Sequence, residues 1–337
     1  MEYQMLGTSG IEVSRIAFGT WGLGGGAVWS DGSPTVRDAA SLLDAAGERG
    51  INYIDTAPVY GVGASERILG EALKGRRDRF VLQTKCSLNW RGEGGQFEYE
   101  RDGCTVMRDH HAEAIRKDVE DSLRRLQTGW IDSMVVHRMS EAVPVEETME
   151  ALNRLREQGK IRTVMISNSK PEHLAQYARF GQVSGVQERF SLLTDRNRDH
   201  FSACEAGNAI FQAFGVLEEG ALTGPSFFNK SFGAGDIRNQ IPWASGERRE
   251  IMGRFFERAE PLCRKYECSL ALLAQAWALR QNPRVNLLIG FRRVSSLESS
   301  CSVFDISLTD GDAALLTEYA DMARAEAAQQ IKRAAEP

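Results

Sequence analysis

The stretch Ile51-Asn52-Tyr53-Ile54-Asp55-Thr56-Ala57-Pro58-Val59-Tyr60-Gly61 decides the fold. A short β-branched and aromatic run, 51–56, ends on an acid and passes into a loop marked by proline and glycine, the pattern of a buried strand that delivers a polar residue to a loop. A stretch of helical period, 65–73, comes next. The same grammar repeats along the chain, with strands predicted over 16–20, 51–56, 80–85, 131–137, 161–168, 185–191, 209–214 and 285–291. Helices are predicted between them over 35–49, 65–73, 112–126, 146–158 and 171–180. Gly50 and Gly159 follow helices, and Pro144 and Pro171 sit near helix starts.

Eight strands alternating with helices, with no Pro/Ser-rich linker, predict an α/β chain folded as one closed (β/α)8 TIM barrel over 1–337. Residues 3–6 and 13–15 flank the turn residues 7–10 and read as an N-terminal β-hairpin. Extra helices are expected after the last strand, ending in an Ala-rich, charged tail over 325–337 that frays. The competing architecture is a doubly wound open sheet, because residues 22–27, GLGGGA, satisfy the letter of a dinucleotide-binding glycine motif. That motif must open a helix to receive a pyrophosphate on its N-terminus. Asp31, Gly32 and Pro34 block an immediate helix here, so a flexible loop over a barrel mouth fits better.

The 337 residues carry a net charge of −5, with 41 basic residues scattered through the chain, which points away from nucleic acid and anionic membrane as partners. No apolar run reaches the ~18 residues of a membrane helix, and the first residues lack a signal peptide's basic start and apolar core. Six cysteines scattered singly make no disulfide framework, so a reducing cytoplasm is expected. No spacing of Cys or His suggests a metal site.

The chemistry gathers at the predicted strand ends. Asp55 ends the second strand, Lys85 the third, His137 the fourth, and Ser167-Asn168 the fifth. In a barrel these ends share one face, where active sites are built. Each run before them is apolar (INYI, FVLQ, DSMVV, TVMI), and burying an acid, a base and an imidazole behind such runs is costly without purpose.

The segment 55–61 continuing into Ala64-Ser65-Glu66 resembles the signature of the aldo-keto reductase superfamily. So do VEDSLRRLQ at 119–127 followed by Asp132 and His137, LREQGKIRTVMISN at 155–168, and VQERFSLL at 186–193. GDIRN at 235–239 is similar to the bacterial branch that includes an inositol-operon reductase. The resemblance implies an NAD(P)H-dependent carbonyl reductase whose tetrad is Asp55, Tyr60, Lys85 and His137. Tyr60 would give a proton to the carbonyl oxygen as hydride reaches the carbon. Lys85 would lower the phenol's pKa, Asp55 would hold Lys85, and His137 would offer an N–H to the substrate oxygen.

The resemblance also implies cofactor contacts, with NADPH/NADP+ as the cofactor. Ser167, Asn168 and Gln187 match residues that grip its carboxamide, and Phe214 the aromatic that stacks on the ring. Gly19 and Thr20 end the first strand and Trp21 follows it; Leu217 and Gly220 follow the seventh. Gly290, Arg292 and Arg293, with Ser296 and Ser300, match the adenosine end, where the two arginines would hold the 2′-phosphate. Gly215-Val216-Leu217 departs from the family's Ser-Pro-Leu, and Ser296 and Ser300 stand where Gln and Asn are common. Trp21, Trp29 and Trp90, together with Tyr60 and His137, would line a substrate pocket, with Phe97 and Tyr99 in loops over the same face. The partner expected is a small carbonyl or polyol, a keto-sugar or keto-inositol in particular. The alternative is a regulatory subunit of the same fold, like potassium-channel β subunits, that binds cofactor with little turnover.

Overall fold

A computed structural model describes residues 1–30, 32–244, 246 and 248–335, with backbone alone for 331–335. Asp31, counted above among the helix-blocking residues, and the last two residues of the expected tail lie outside the described residues.

Eight parallel strands close into a barrel in chain order: β1 Ile16–Gly19, β2 Tyr53–Asp55, β3 Val81–Cys86, β4 Ile131–Val136, β5 Ile161–Ser167, β6 Val183–Arg189, β7 Ile210–Phe214 and β8 Val285–Gly290. Closure is made by Leu287 pairing with Ile16. Helices α1 Val36–Glu48, α2 Ala64–Ala72, α3 Ala112–Leu126, α4 Val145–Glu157, α5 Pro171–Ala178 and α6 His200–Ala206 fill the first six crossovers. Two helices, α7 Arg248–Lys265 and α8 Leu270–Gln281, precede β8, and α9 Val294–Cys301 and α10 Asp310–Ala335 follow it. The open-sheet alternative is excluded, and residues 22–27 open no helix: Trp21–Gly24 forms a single 3₁₀ turn and α1 starts at Val36.

Local signals explain the boundaries. Thr35 and Asp38 form a reciprocal capping box at the start of α1. Gly50 and Gly159 take positive φ of 78° and 71° just after α1 and α4. Along the strands, alternate residues face opposite sides. Ile54, Leu82, Val136 and Ile166 point outward into the main core between barrel and helices. Tyr53, Val135, Met165, Ile210 and Leu288 point inward and meet Leu6 and Val13 of the N-terminal hairpin, Tyr3–Met5 with Glu12–Ser14, which plugs the barrel's lower end.

One element was absent from the predicted pattern. After β3 the chain forms a small antiparallel sheet of Leu88–Asn89, Gln96–Arg101 and Cys104–Arg108. Its low apolarity and two glycines at 94–95 read as loop, yet it rises beside the barrel mouth. The C-terminal segment expected to fray continues α10 to Ala335. Glu326 pairs with Arg254 and Arg258 of α7, and Arg324 donates to the Leu192 carbonyl. Among the described residues no helix is long and apolar enough to cross a membrane.

Candidate active site

The pleat that sends Ile54, Leu82 and Thr84 outward turns Asp55, Gln83 and Lys85 into the barrel, where all three are buried. Lys85 Nζ donates to Asp55 Oδ1 at 2.7 Å, to Oδ2 at 2.8 Å and to the Thr56 carbonyl at 2.8 Å. It also donates to the Tyr60 hydroxyl at 3.1 Å. Tyr60 is placed by a tight loop in which Gly61, at φ 62°, presses against the backbone of Gly24, and any Cβ there would collide with it. The Tyr60 and His137 rings meet edge to face at 6.3 Å. The four residues of the expected tetrad therefore stand together at the C-terminal mouth.

Their electrostatics differ from expectation in one respect. Burial, then the Asp55 charge, push the Tyr60 phenol well above its ordinary value. The expected lowering by Lys85 is not found. The ammonium is clasped by both oxygens of Asp55, and the phenol packs among Ala57, Val59, Trp90 and Tyr99. Burial likewise lowers the Lys85 ammonium against the pull of Asp55. Burial and the Lys85 charge hold His137 well below its usual value, so its imidazole is neutral. Its Nδ1 is buried and meets no hydrogen-bond partner among the described residues.

Ser167, Asn168 and Gln187 converge beside His137. Ser167 Oγ donates to the Gln187 carbonyl at 2.7 Å, and Asn168 Nδ2 donates to the His137 carbonyl at 3.0 Å. Gln187 Nε2 turns into the barrel and donates to Asp55 Oδ2 at 2.9 Å. Among the described residues no donor meets Asn168 Oδ1 or Gln187 Oε1. These two amide oxygens suit the NH₂ of a carboxamide, so the donor set fits a nicotinamide. Phe214 ends β7 on the inward face, half-buried, as a stacking ring requires.

Other expected residues divide. Trp21 stands 5.1 Å from Trp29, edge to face, and 6.1 Å from Tyr60, which places both tryptophans at the mouth. Arg292 lies against Gly22, whose Cβ would come within 3.2 Å of its Cγ, and 5.8 Å from the Trp29 ring. Gly290 pairs with Gly19 at the barrel seam, Arg293 caps α9, and Ser296 is partly exposed on its first turn. One assignment needs correction. The Thr20 hydroxyl donates to the Asp55 carbonyl and meets Ser65, so it braces the strand ends rather than facing a cofactor. Ser300 is buried on α9. Trp90 packs with Tyr60 and Tyr99 against Ala57, Val59, Leu88 and Val106, with the Arg125 guanidinium over its ring.

The loops beyond β7 pair with the end of β6 and with the loop after β1 in ways that single residues did not reveal. Arg189 meets Glu218 at 2.5 Å and Glu219 at 2.7 Å beside Leu217 and Gly220. Asp236 accepts from Ser30 N at 2.8 Å and Ser30 Oγ at 2.7 Å, and pairs with Arg238, which lies over the Trp29 and Phe232 rings. Segments 27–30 and 233–239 are thereby strapped together across the mouth. Also unforeseen was the row of side-chain amides beneath Asp55: Gln83, Gln187, Gln212 and Asn286. Each interrupts an apolar strand run, and that was the available signal.

Comparison with known proteins agrees with this geometry. The model of the Aldo/keto reductase family matches residues 15–321. The NADH-specific methylglyoxal reductase of Escherichia coli (strain K12) is 33% identical over 322 residues, covering 94% of this chain and 97% of that protein. The solved structure of a glycerol dehydrogenase from Gluconobacter oxydans superposes with a TM-score of 0.81 at 32% identity, covering 92% of each chain. An aldo-keto reductase from Bacillus halodurans, solved in its holo form, gives 0.73 at 26% identity over 95% of this chain and 96% of that one. The chain belongs to the aldo/keto reductase family and is an NAD(P)H-dependent oxidoreductase.

Proposed function

We propose that this enzyme reduces a small, oxygen-rich carbonyl compound to the alcohol, with Tyr60 as the proton donor. The observation that carries the reading is the convergence of Asp55, Lys85, Tyr60 and His137 within one buried network at the mouth. The bound nicotinamide supplies hydride to the carbonyl carbon. Neutral His137 presents an N–H that draws the carbonyl oxygen into place, since a ring held uncharged still donates. As hydride adds to the carbon, the C=O π pair moves onto the oxygen, which takes the proton of the Tyr60 O–H, and Lys85 stands 3.1 Å away to stabilise the phenolate that remains. A phenol raised by burial stays protonated through the neutral range, which favours reduction. The reverse reaction, alcohol oxidation, needs the phenolate.

Two finer assignments belong to this reading. The first is a polar substrate, a keto-sugar, keto-inositol or smaller oxo compound, or the matching polyol in reverse. Trp21 and Trp29 offer stacking faces at the mouth. The two relatives named for methylglyoxal and glycerol act on small, oxygenated molecules. The second is a preference for NADPH, through Arg292 and the exposed Arg293 at the start of α9, where a guanidinium can meet a 2′-phosphate with paired hydrogen bonds. A panel of methylglyoxal, dihydroxyacetone, keto-sugars, keto-inositols and simple aliphatic aldehydes, followed at the cofactor's absorbance, tests the reading. Steady turnover with polar carbonyls ahead in kcat/KM is expected. Binding of cofactor without turnover of any of them would point instead to a regulatory subunit.

A further inference from the structure

Barrel interiors are filled mostly by branched apolar side chains, yet this one holds a continuous row of amides. Asn286 Nδ2 donates to the Ser14 carbonyl at 2.8 Å. Gln212 Nε2 donates to Asn286 Oδ1 at 3.1 Å. Gln212 Oε1 accepts from both Gln83 Nε2, at 2.7 Å, and Gln187 Nε2, at 2.8 Å. Those same two NH₂ groups donate to Asp55 Oδ2, at 2.6 and 2.9 Å. Gln83 Oε1 in turn accepts from the Tyr53 and Ser133 hydroxyls. Gln83, Gln212 and Asn286 are wholly buried.

The row has a direction. A backbone carbonyl only accepts, so the Ser14 oxygen compels Asn286 to point its NH₂ downward and its oxygen toward Gln212. Gln212 must then donate below and accept above. Both amides above it are left pointing N–H, not C=O, at Asp55. For Gln187 the consequence is that its carbonyl oxygen, rather than its NH₂, remains for the cofactor carboxamide.

We propose that Gln83, Gln212 and Asn286 are positioning residues, a polar relay from the barrel floor that orients the Asp55 carboxylate under Lys85 and fixes which atom Gln187 offers the cofactor. The inference rests on the oxidoreductase reading for its kinetic consequences and on cofactor binding for the rest. With Gln83 free of the relay's constraint, Asp55 loses one of its two amide donors and Lys85 loses its fixed bearing on Tyr60. With Gln212 gone, Gln187 is free to turn its amide over.

The test uses Gln83→Met and Gln212→Met, which hold side-chain volume nearly constant, with Asn286→Leu as the variant farthest from the site. Gln83→Met is expected to lower kcat tenfold or more, to leave the cofactor Kd within threefold, and to move the pH profile of kcat. Gln212→Met is expected to raise the Kd for NADP+ or NAD+ at least fivefold, read by tryptophan fluorescence, as well as lowering kcat. Asn286→Leu should show the same pair of effects, smaller, while leaving every residue beside Asp55 in place; it decides the matter if either glutamine variant fails to fold. Variants that keep kcat, its pH profile and cofactor Kd within twofold of the parent, whatever their melting temperatures, overturn the proposal and make the row a packing feature. If the parent enzyme turns over no carbonyl, the functional reading fails, and the Kd shift on Gln212→Met and Asn286→Leu still decides the relay.

Discussion

The two sides of the barrel mouth are built by different means. On the side of β2 to β5, Asp55 and Lys85 are inward strand residues held by the sheet's own register, Asp55 paired across to Gln83 and Lys85 to Val135, with Tyr60 in the short loop after β2 and His137 and Asn168 directly after β4 and β5. Around β7, β8 and β1, polar loop residues are held by other segments: Glu218 and Glu219 after β7 by Arg189 at the end of β6, and Ser30 after β1 by Asp236. A residue set by strand register has one place to be, and the chemistry there is fixed before ligand arrives. A loop held by hydrogen bonds across a gap can open, which suits the side where a dinucleotide must enter and leave. The catalytic half should therefore respond to substitution in kcat, and the loop half in cofactor affinity.

The largest expected break is Lys85→Met. It removes the cation beside Tyr60 and leaves Asp55 buried without its partner. We expect kcat to fall by about 10²–10⁴ and stability to fall by ~3–5 kcal/mol, read by steady-state kinetics and denaturant unfolding. Full stability after that change would mean the carboxylate had found another partner and the network is less tight than drawn. Next in size, Arg292→Ala with Arg293→Ala should weaken NADPH by about tenfold to a few hundredfold and spare NADH. Equal weakening of both cofactors would show that the arginines do not read the 2′-phosphate.

Asp236→Ala sharpens the contrast from the loop side. Losing the strap to Ser30 should raise cofactor Kd about tenfold, the order of one charged hydrogen bond, with kcat at saturation nearly unchanged. A hundredfold fall in kcat instead would erase the distinction between the halves. The smallest effect is in pH. With the Tyr60 phenol raised and the His137 imidazole lowered, neither changes charge in the neutral range. The kcat for reduction should vary less than about threefold between roughly pH 6 and 9, while alcohol oxidation should climb with pH as the phenolate becomes accessible. A midpoint near neutrality in the reduction profile would contradict the burial of these groups.

The same contrast explains what was legible in the sequence. Asp55, Lys85, His137 and Asn168 could be placed because strand periodicity says which residues face inward and chain order says which end they reach. Tyr60 came through its motif, fixed by the short Pro58 to Gly61 loop. The amides Gln83, Gln212 and Asn286 were hidden inside runs taken as plain strand, because periodicity marks a position as inward without saying what it bonds. The sheet over 88–108 was missed because its strands alternate too weakly to separate from loop. Thr20 was misplaced for a related reason: adjacency to a site does not fix a side chain's direction. Its hydroxyl found Ser65 and the Asp55 carbonyl. The expected fall of the Tyr60 pKa weighed the Lys85 charge and left out burial, which with the Asp55 charge pushes the phenol up instead.

The central claim is that Tyr60 gives the proton, and Tyr60→Phe tests it most directly because the ring and its packing stay while the hydroxyl goes. Steady-state reduction of the best carbonyl from the panel should be measured alongside cofactor Kd by tryptophan fluorescence. The account predicts a loss of kcat of about 10²–10⁴ with cofactor affinity unchanged. A variant that binds cofactor normally and keeps more than about a tenth of the parent kcat, outside the range for a lost general acid, would contradict it and require another donor.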